Sequence, residues 1–187
     1  ASGKIGLGRL AEIETIIGII KQVSGSSGDL AGKGIVVTAG GTQEPIDPAR
    51  HISNRSSGKM GYAVAEAARD RGAEVTLIAA PTTLSDPVGI EVAHIETAVQ
   101  MKEAVTRATA QTDALIMVAA VADYQPKSTA GAKIKKEEAA GLAFELIKTP
   151  DVLAEAKGDF IRIGFAAETE DHVENARKKL AGKQLDL

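Results

Sequence analysis

The chain has 187 residues, 44% of them hydrophobic but only 3% aromatic, with no tryptophan, no cysteine and a formal net charge of −3. That length allows one medium domain with a real core, and an aliphatic core suits a parallel sheet buried under helices. The charge gives no reason to expect nucleic acid or an anionic membrane as partner. The missing thiols exclude disulfides, thiol catalysis and cysteine metal sites, and fit a cytoplasmic protein.

In chain order, residues 1–8 are glycine-rich, and residues 9–23 carry Leu10, Ile13, Ile16, Ile17 and Ile20 at helical spacing. Ser24-Gly25-Ser26-Ser27-Gly28 reads as a flexible linker. This predicts a boundary: residues 1–33 form a helix and linker at the tail of something upstream, and residues 34–187 form the main domain. From Gly34 the pattern becomes α/β. Residues 35–38 form a short apolar strand ending in Gly40-Gly41, and residues 62–71 a helix with Val64, Ala67 and Ala68 inward, stopped by Gly72. Residues 74–79 and 92–95 predict two further strands. Residues 97–110 predict a helix burying Val99, Met101 and Val105, and residues 114–122 one continuous central strand. A long polar loop follows over 123–138, then a weak strand at 143–147. Thr149 is the expected cap of a helix opening on Pro150. Residues 160–166 form a buried strand, 170–180 a charged helix, and 184–187 the start of another strand. Such alternation predicts a Rossmann-like, doubly wound, mainly parallel sheet with helices on both faces.

Several stretches carry more chemistry than a connection needs. Gly40-Gly41-Thr42 follows the first strand, where glycine lets the backbone approach a phosphate. It serves equally as a tight turn needing positive φ. Between it and the helix, residues 53–62 crowd Asn54, Arg55, Ser56, Ser57, Gly58 and Lys59 together, an arrangement suited to an anion at a helix N-terminus. Ser57 is the expected helix cap. The segment is no P-loop, because Met60 stands where a magnesium-binding hydroxyl would follow the lysine. Asn54 can hold a polarised carbonyl or form an Asx-turn. Arg50 is either a solvated charge or a bidentate phosphate ligand. Asp123 ends the apolar run and can meet a ribose, meet a phosphate-borne metal, or cap a turn. Lys133-Ile134-Lys135-Lys136 reads as a solvated charge run or as a flap delivering an ammonium to a polyphosphate. His51, His94 and His172 show no metal spacing.

Residues 38–50 (TAGGTQEPIDPAR) and 52–61 (ISNRSSGKMG) closely resemble the signature of the phosphopantothenate–cysteine ligase family. Ala119-Ala120-Val121-Ala122-Asp123-Tyr124, the lysine run, Pro150-Asp151-Val152-Leu153 and Gly164-Phe165-Ala166-Ala167-Glu168-Thr169 resemble it too, in order. The resemblance covers roughly Gly32 onward. Bacterial members form the second half of a coenzyme A biosynthesis protein behind a flavin-dependent decarboxylase, and residues 6–12 look like the end of that half. FMN would belong to the absent half only.

What the resemblance implies is a two-step ligation. The carboxylate of 4′-phosphopantothenate attacks the α-phosphate of CTP, giving an acyl-cytidylate and pyrophosphate. The amine of L-cysteine then displaces CMP. By motif match, Asn54 would hold the acyl group and Lys133 would assist activation. Met117, Val118, Ala119, Asp123, Pro150, Asp151, Val152, Leu153, Phe165, Lys179 and Lys183 would surround CTP, with Mg²⁺ on its phosphates near Asp123. Gly40, Gly41, Thr42, Ser56, Ser57 and Gly58 would form the phosphate floor, and Arg50 would meet the pantothenate phosphate. A homodimer is implied. The competing readings are a short-chain-type NAD(P)-binding oxidoreductase and a non-catalytic nucleotide-binding module. Against the first, no Tyr-x-x-x-Lys pair sits on a helix.

Overall fold

A computed structural model describes residues 10–135, 141–166 and 170–187. The glycine-rich residues 1–8, Lys136, and Ala167, Glu168 and Thr169 of the last motif lie outside the described residues. In chain order the elements open with α1 (Ile13–Gly25), β1 (Gly34–Ala39), β2 (Gln43–Asp47), β3 (Arg50–Ser53) and α2 (Lys59–Arg69). Next come β4 (Glu74–Ala79), β5 (Glu91–His94), α3 (Ala98–Ala108) and β6 (Ala114–Met117). The rest are β7 (Tyr124–Pro126), β8 (Leu146–Lys148), α4 (Val152–Glu155), β9 (Ile161–Gly164) and α5 (His172–Gly182).

Five strands form a parallel sheet in the order β5-β4-β1-β6-β9. Its residues alternate between two apolar layers, as the pleat requires. Val36, Ile78, Leu115 and Met117 pack on one side with Met101 and Val105 of α3 and with Val152 and Leu153 of α4. Ile35, Val37, Ala39 and Leu77 pack on the other with Tyr62, Ala65 and Ala68 of α2. The doubly wound α/β fold expected from the alternation is the fold observed. Chain order reverses direction between β1 and β6, and the crevice beyond their carboxyl ends is where open parallel sheets bind ligands.

Helix α2 lies directly on the end of β1. A Cβ on Gly61 would stand 2.6 Å from the Ala39 Cβ and 2.7 Å from the Thr38 carbonyl oxygen. Gly61→Ala is therefore expected to cost about 1–3 kcal/mol through overpacking, read as a lower urea midpoint at unchanged slope. An unchanged midpoint would contradict that packing. At the other end of the domain, the Ser24–Gly28 stretch is packed against the turn after α2. Cβ atoms on Gly25 and Gly28 would meet the carbonyls of Asp70 and Arg71, and Leu30 N–H donates to the Arg71 carbonyl at 3.0 Å.

Several local expectations are corrected. Residues 43–53, for which no element is predicted, form an antiparallel hairpin, β2–β3. Pro45 is tolerated because its strand belongs to a small two-stranded sheet, where a missing N–H breaks no central ladder. The central strand stops at Met117 instead of continuing to Ala122. The loop expected over 123–138 contains β7, which pairs with β8, and β8 lies later than the strand expected at 143–147. Val99 is 39% exposed, so α3 turns it outward while burying Met101 and Val105. Ala67 of α2 is exposed and Ala65 is buried in its place. Asp186 and Leu187 hydrogen-bond to β9, but residues 184–187 form no strand.

Candidate active site

The crevice is built from the tail of β1 and the segment after β6. Gly40 takes φ 83°, a left-handed conformation that favours glycine. A Cβ on Gly41 would stand 2.8 Å from the Asn54 carbonyl oxygen, so the turn and residues 53–56 are in close contact. Gly41 also bridges to Ala120, and Thr42 N–H donates to the Ala120 carbonyl at 3.3 Å. Thr42 Oγ1 accepts the Ala122 N–H at 2.9 Å. The expected floor residues Gly40, Gly41 and Thr42 thus meet Ala120 and Ala122 at the switch point.

Why β6 ends early follows from Thr38. Its buried hydroxyl accepts the N–H groups of both Val118 and Ala119 at 3.1 Å, and donates to Met117 Sδ at 3.5 Å. A side chain thereby replaces the ladder at Val118 and Ala119, and pairing with the tail of β1 resumes at Ala120. The amides of Val118 and Ala119 are consequently engaged, and only their carbonyls remain to bond a ligand.

Asn54 leaves the base of the hairpin and crosses to this segment. Its Nδ2 donates to the Val121 carbonyl at 2.9 Å. A carbonyl only accepts, so the bond assigns the amide nitrogen and leaves Oδ1 and one N–H for a substrate. Beyond it, α2 opens at Lys59 after Gly58, which takes φ 74° and makes no side-chain cap. Ser57 is therefore not the cap. Its Oγ accepts the Lys59 N–H at 3.4 Å, as Ser56 Oγ accepts that of Gly58 at 3.4 Å.

The other predicted nucleotide residues gather around β9. A cavity of about 160 Å³ is lined by Leu153, Phe165, Lys179, Lys183 and neighbours from α5 and the last residues. Phe165 N–H donates to the Met117 carbonyl at 3.1 Å, joining this cavity to the crevice. Lys183 Nζ pairs with the Asp151 carboxylate at 3.0 Å. Burial pushes the Asp151 carboxyl up, but Lys183 and the Ala154 N–H outweigh it and hold the carboxyl below its usual range. Asp151, not Thr149, caps α4, so Pro150 precedes the helix. Thr149 instead donates its hydroxyl proton to the Ala122 carbonyl. A larger cavity of about 560 Å³ lies away from all of this, beside Lys33, Asp113 and Asp159 near the amino ends of the strands.

Arg50 and Ile134, the neighbour of Lys133, meet at the opposite, turn end of the hairpin. Arg50 Nη1 donates to Asp47 Oδ2 at 3.0 Å and Nη2 to the Ile134 carbonyl at 3.1 Å. Lys133 accordingly precedes a contact at the hairpin tip while Asn54 follows its base, and the strand from Arg50 to Asn54 spans roughly 13 Å. Three contributors lie within the signature over residues 38–50 without an assigned role: Thr38, Asp47 and Glu44. Glu44 is fully buried, and its Oε1 accepts the Ala98 N–H at 2.9 Å, anchoring the hairpin to the positive end of α3. Asp123 is exposed at the rim. Among the described residues no group of three His, Cys, Asp or Glu could cage a metal.

Residues 30–187 match the family described as the DNA/pantothenate metabolism flavoprotein C-terminal domain. The chain belongs to this family. It is 46% identical over 193 residues to the coenzyme A biosynthesis bifunctional protein CoaBC of Bacillus subtilis, a match covering 100% of this chain and 47% of the relative. The Mycobacterium tuberculosis protein of the same description is 46% identical over 200 residues, covering 97% of this chain and 48% of its own length. Among solved structures, the C-terminal domain of a CoaBC superposes with a TM-score of 0.74 at 44% identity, covering 84% of this chain and 76% of that one. The chain thus spans about half the length of the curated relatives it matches. No helix among the described residues is long and apolar enough to cross a membrane.

Proposed function

We propose that this DNA/pantothenate metabolism flavoprotein C-terminal domain is a CTP-dependent phosphopantothenate–cysteine ligase acting in coenzyme A biosynthesis. The observation that carries the reading is the convergence of Gly40, Gly41, Asn54 and residues 118–122 on one crevice, joined through Phe165 to a cavity holding Lys179 and Lys183. Two lysines in that cavity and a glycine turn at the crevice suit a triphosphate. The free carbonyls of Val118 and Ala119 suit a nucleobase amino group. In this reading Asn54 polarises the acyl carbonyl, Lys133 neutralises charge as pyrophosphate departs, and Arg50 meets the pantothenate phosphate. Catalysis is then positioning and charge stabilisation, with no dedicated nucleophile.

Magnesium fits this donor set when carried by the phosphates. Asp123 supplies one carboxylate, and Mg²⁺ ordinarily takes one or two together with phosphates and water. Its contribution would be to neutralise the polyphosphate. The full-length chain would place a flavin-dependent decarboxylase upstream, with FMN there. A second copy of this chain would cover the β7–β8 arm, where Tyr124, Leu146 and Ile147 are each more than 40% exposed. Sedimentation of the full-length protein should show a dimer or a multiple of it.

The oxidoreductase reading is disfavoured because a hairpin, not a helix, follows the glycine turn, so no helix N-terminus meets a dinucleotide there. The test is a thermal shift. CTP with Mg²⁺ should raise the midpoint and NADPH should not, and the reverse would discard the ligase. Pyrophosphate release with phosphopantothenate and CTP then separates an enzyme from a nucleotide-binding module.

A further inference from the structure

The hairpin tip holds a buried carboxylate that the ligation scheme does not use. The Asp47 side chain is 0% exposed. Its Oδ1 accepts the Ala49 N–H at 2.8 Å. Its Oδ2 accepts both Arg50 Nη1 at 3.0 Å and the Ile134 N–H at 3.1 Å. Arg50 Nη2 closes the ring on the Ile134 carbonyl at 3.1 Å, so both backbone groups of Ile134 are held. Two further bonds run along the same edge. Ala130 N–H donates to the Ile46 carbonyl at 2.9 Å, and Thr129 Oγ1 to the Pro45 carbonyl at 3.0 Å. The segment before and through Lys133 is thus laid along β2, and the last fastening is next to that lysine.

We propose that Asp47 is a positioning residue that docks the Lys133 segment on the β2–β3 hairpin, setting the lysine in fixed register with Asn54. The role rests on the ligase reading above, but the docking itself does not. The chemistry requires a carboxylate. The groups facing Asp47 are N–H donors from Ala49, Arg50 and Ile134, and both oxygens accept. An asparagine would turn its amide nitrogen toward Ala49 or toward Ile134, and flipping it merely exchanges the clash. A glutamate adds a methylene where the side chain has no exposed surface. Burial pushes the Asp47 carboxyl up, yet the Ala49 and Ile134 N–H groups and Arg50 outweigh it and hold the carboxyl below its usual range. The hairpin base is anchored independently, by Glu44 on α3 and by Asn54 on Val121. A segment fixed to the tip is therefore fixed to the crevice.

The experiment uses the full-length protein and two readouts. The first is tryptic cleavage at Lys133 and Lys135 under native conditions. Asp47→Asn should cleave about tenfold faster there than wild type, because a charge-assisted docking bond is lost. Arg50→Gln, at an exposed guanidinium, should do the same and serves if Asp47→Asn folds poorly. Unchanged cleavage in both variants overturns the docking. The second readout is pyrophosphate release. Asp47→Asn should lower kcat with little change in the CTP thermal shift, and should add no loss in a Lys133→Gln background. A further loss in that background overturns the claim that Asp47 acts through Lys133. If wild type releases no pyrophosphate, the ligase reading falls, and the cleavage rates alone decide whether Asp47 docks the segment.

Discussion

Thr38→Val should destabilise the domain by about 2–4 kcal/mol, because two backbone N–H groups lose their only partner and each such group costs about 1–3 kcal/mol when buried unpaired. Valine matches threonine in shape, so no cavity accompanies the change and the loss reports the hydroxyl. The hydroxyl accepts from Val118 and Ala119, where the ladder to β6 is interrupted. The variant should therefore also weaken the CTP-induced thermal shift, since Val118 and Ala119 of the crevice wall are no longer held. Thr38→Ser keeps the hydroxyl and should recover most of both. Urea unfolding of the three proteins decides it. A Thr38→Val midpoint equal to wild type would mean that the segment is held by other bonds.

The second large effect separates two half-reactions. Lys133→Gln should lower pyrophosphate release by about 10²–10³, the range typical of removing one group that stabilises developing charge. Asn54→Asp should instead leave pyrophosphate release largely intact and damage transfer to cysteine. The reason lies in the bond to Val121. An ionised aspartate has no N–H to donate, so an oxygen would face the Val121 carbonyl and the side chain would be repelled from its present setting. It would also offer no donor to an acyl oxygen. Quenched-flow measurement of pyrophosphate and of CMP distinguishes the steps. Equal loss of both in both variants would refute the division of roles, which the separation of Lys133 and Asn54 along the hairpin supports.

Much of the architecture was legible because it is local. Short aliphatic runs alternating with helical periodicity imply a parallel sheet, and the glycine turn after the first strand lies at its carboxyl edge. Misreadings arose where a tertiary partner overrode a local signal. The apolar run after Ala114 reads as one long strand, but the Thr38 hydroxyl captures its next two amides. Thr149 reads as a helix cap, but its hydroxyl is drawn to the Ala122 carbonyl, and Asp151 takes the cap. No element is read over residues 43–53, yet Pro45, which lacks an N–H, sits in a two-stranded hairpin that needs no donor there.

From the sequence alone came the fold class, the family resemblance and the residue types at the crevice. What only the tertiary structure decided was which groups hold one another there. Thr38 finds Val118 and Ala119 at separations of 80 and 81 residues, and Asp47 finds Ile134 at 87. Periodicity tells which face of a strand is apolar. It carries nothing about which distant amide a buried hydroxyl or carboxylate must satisfy, because that choice is made by the packing of the sheet.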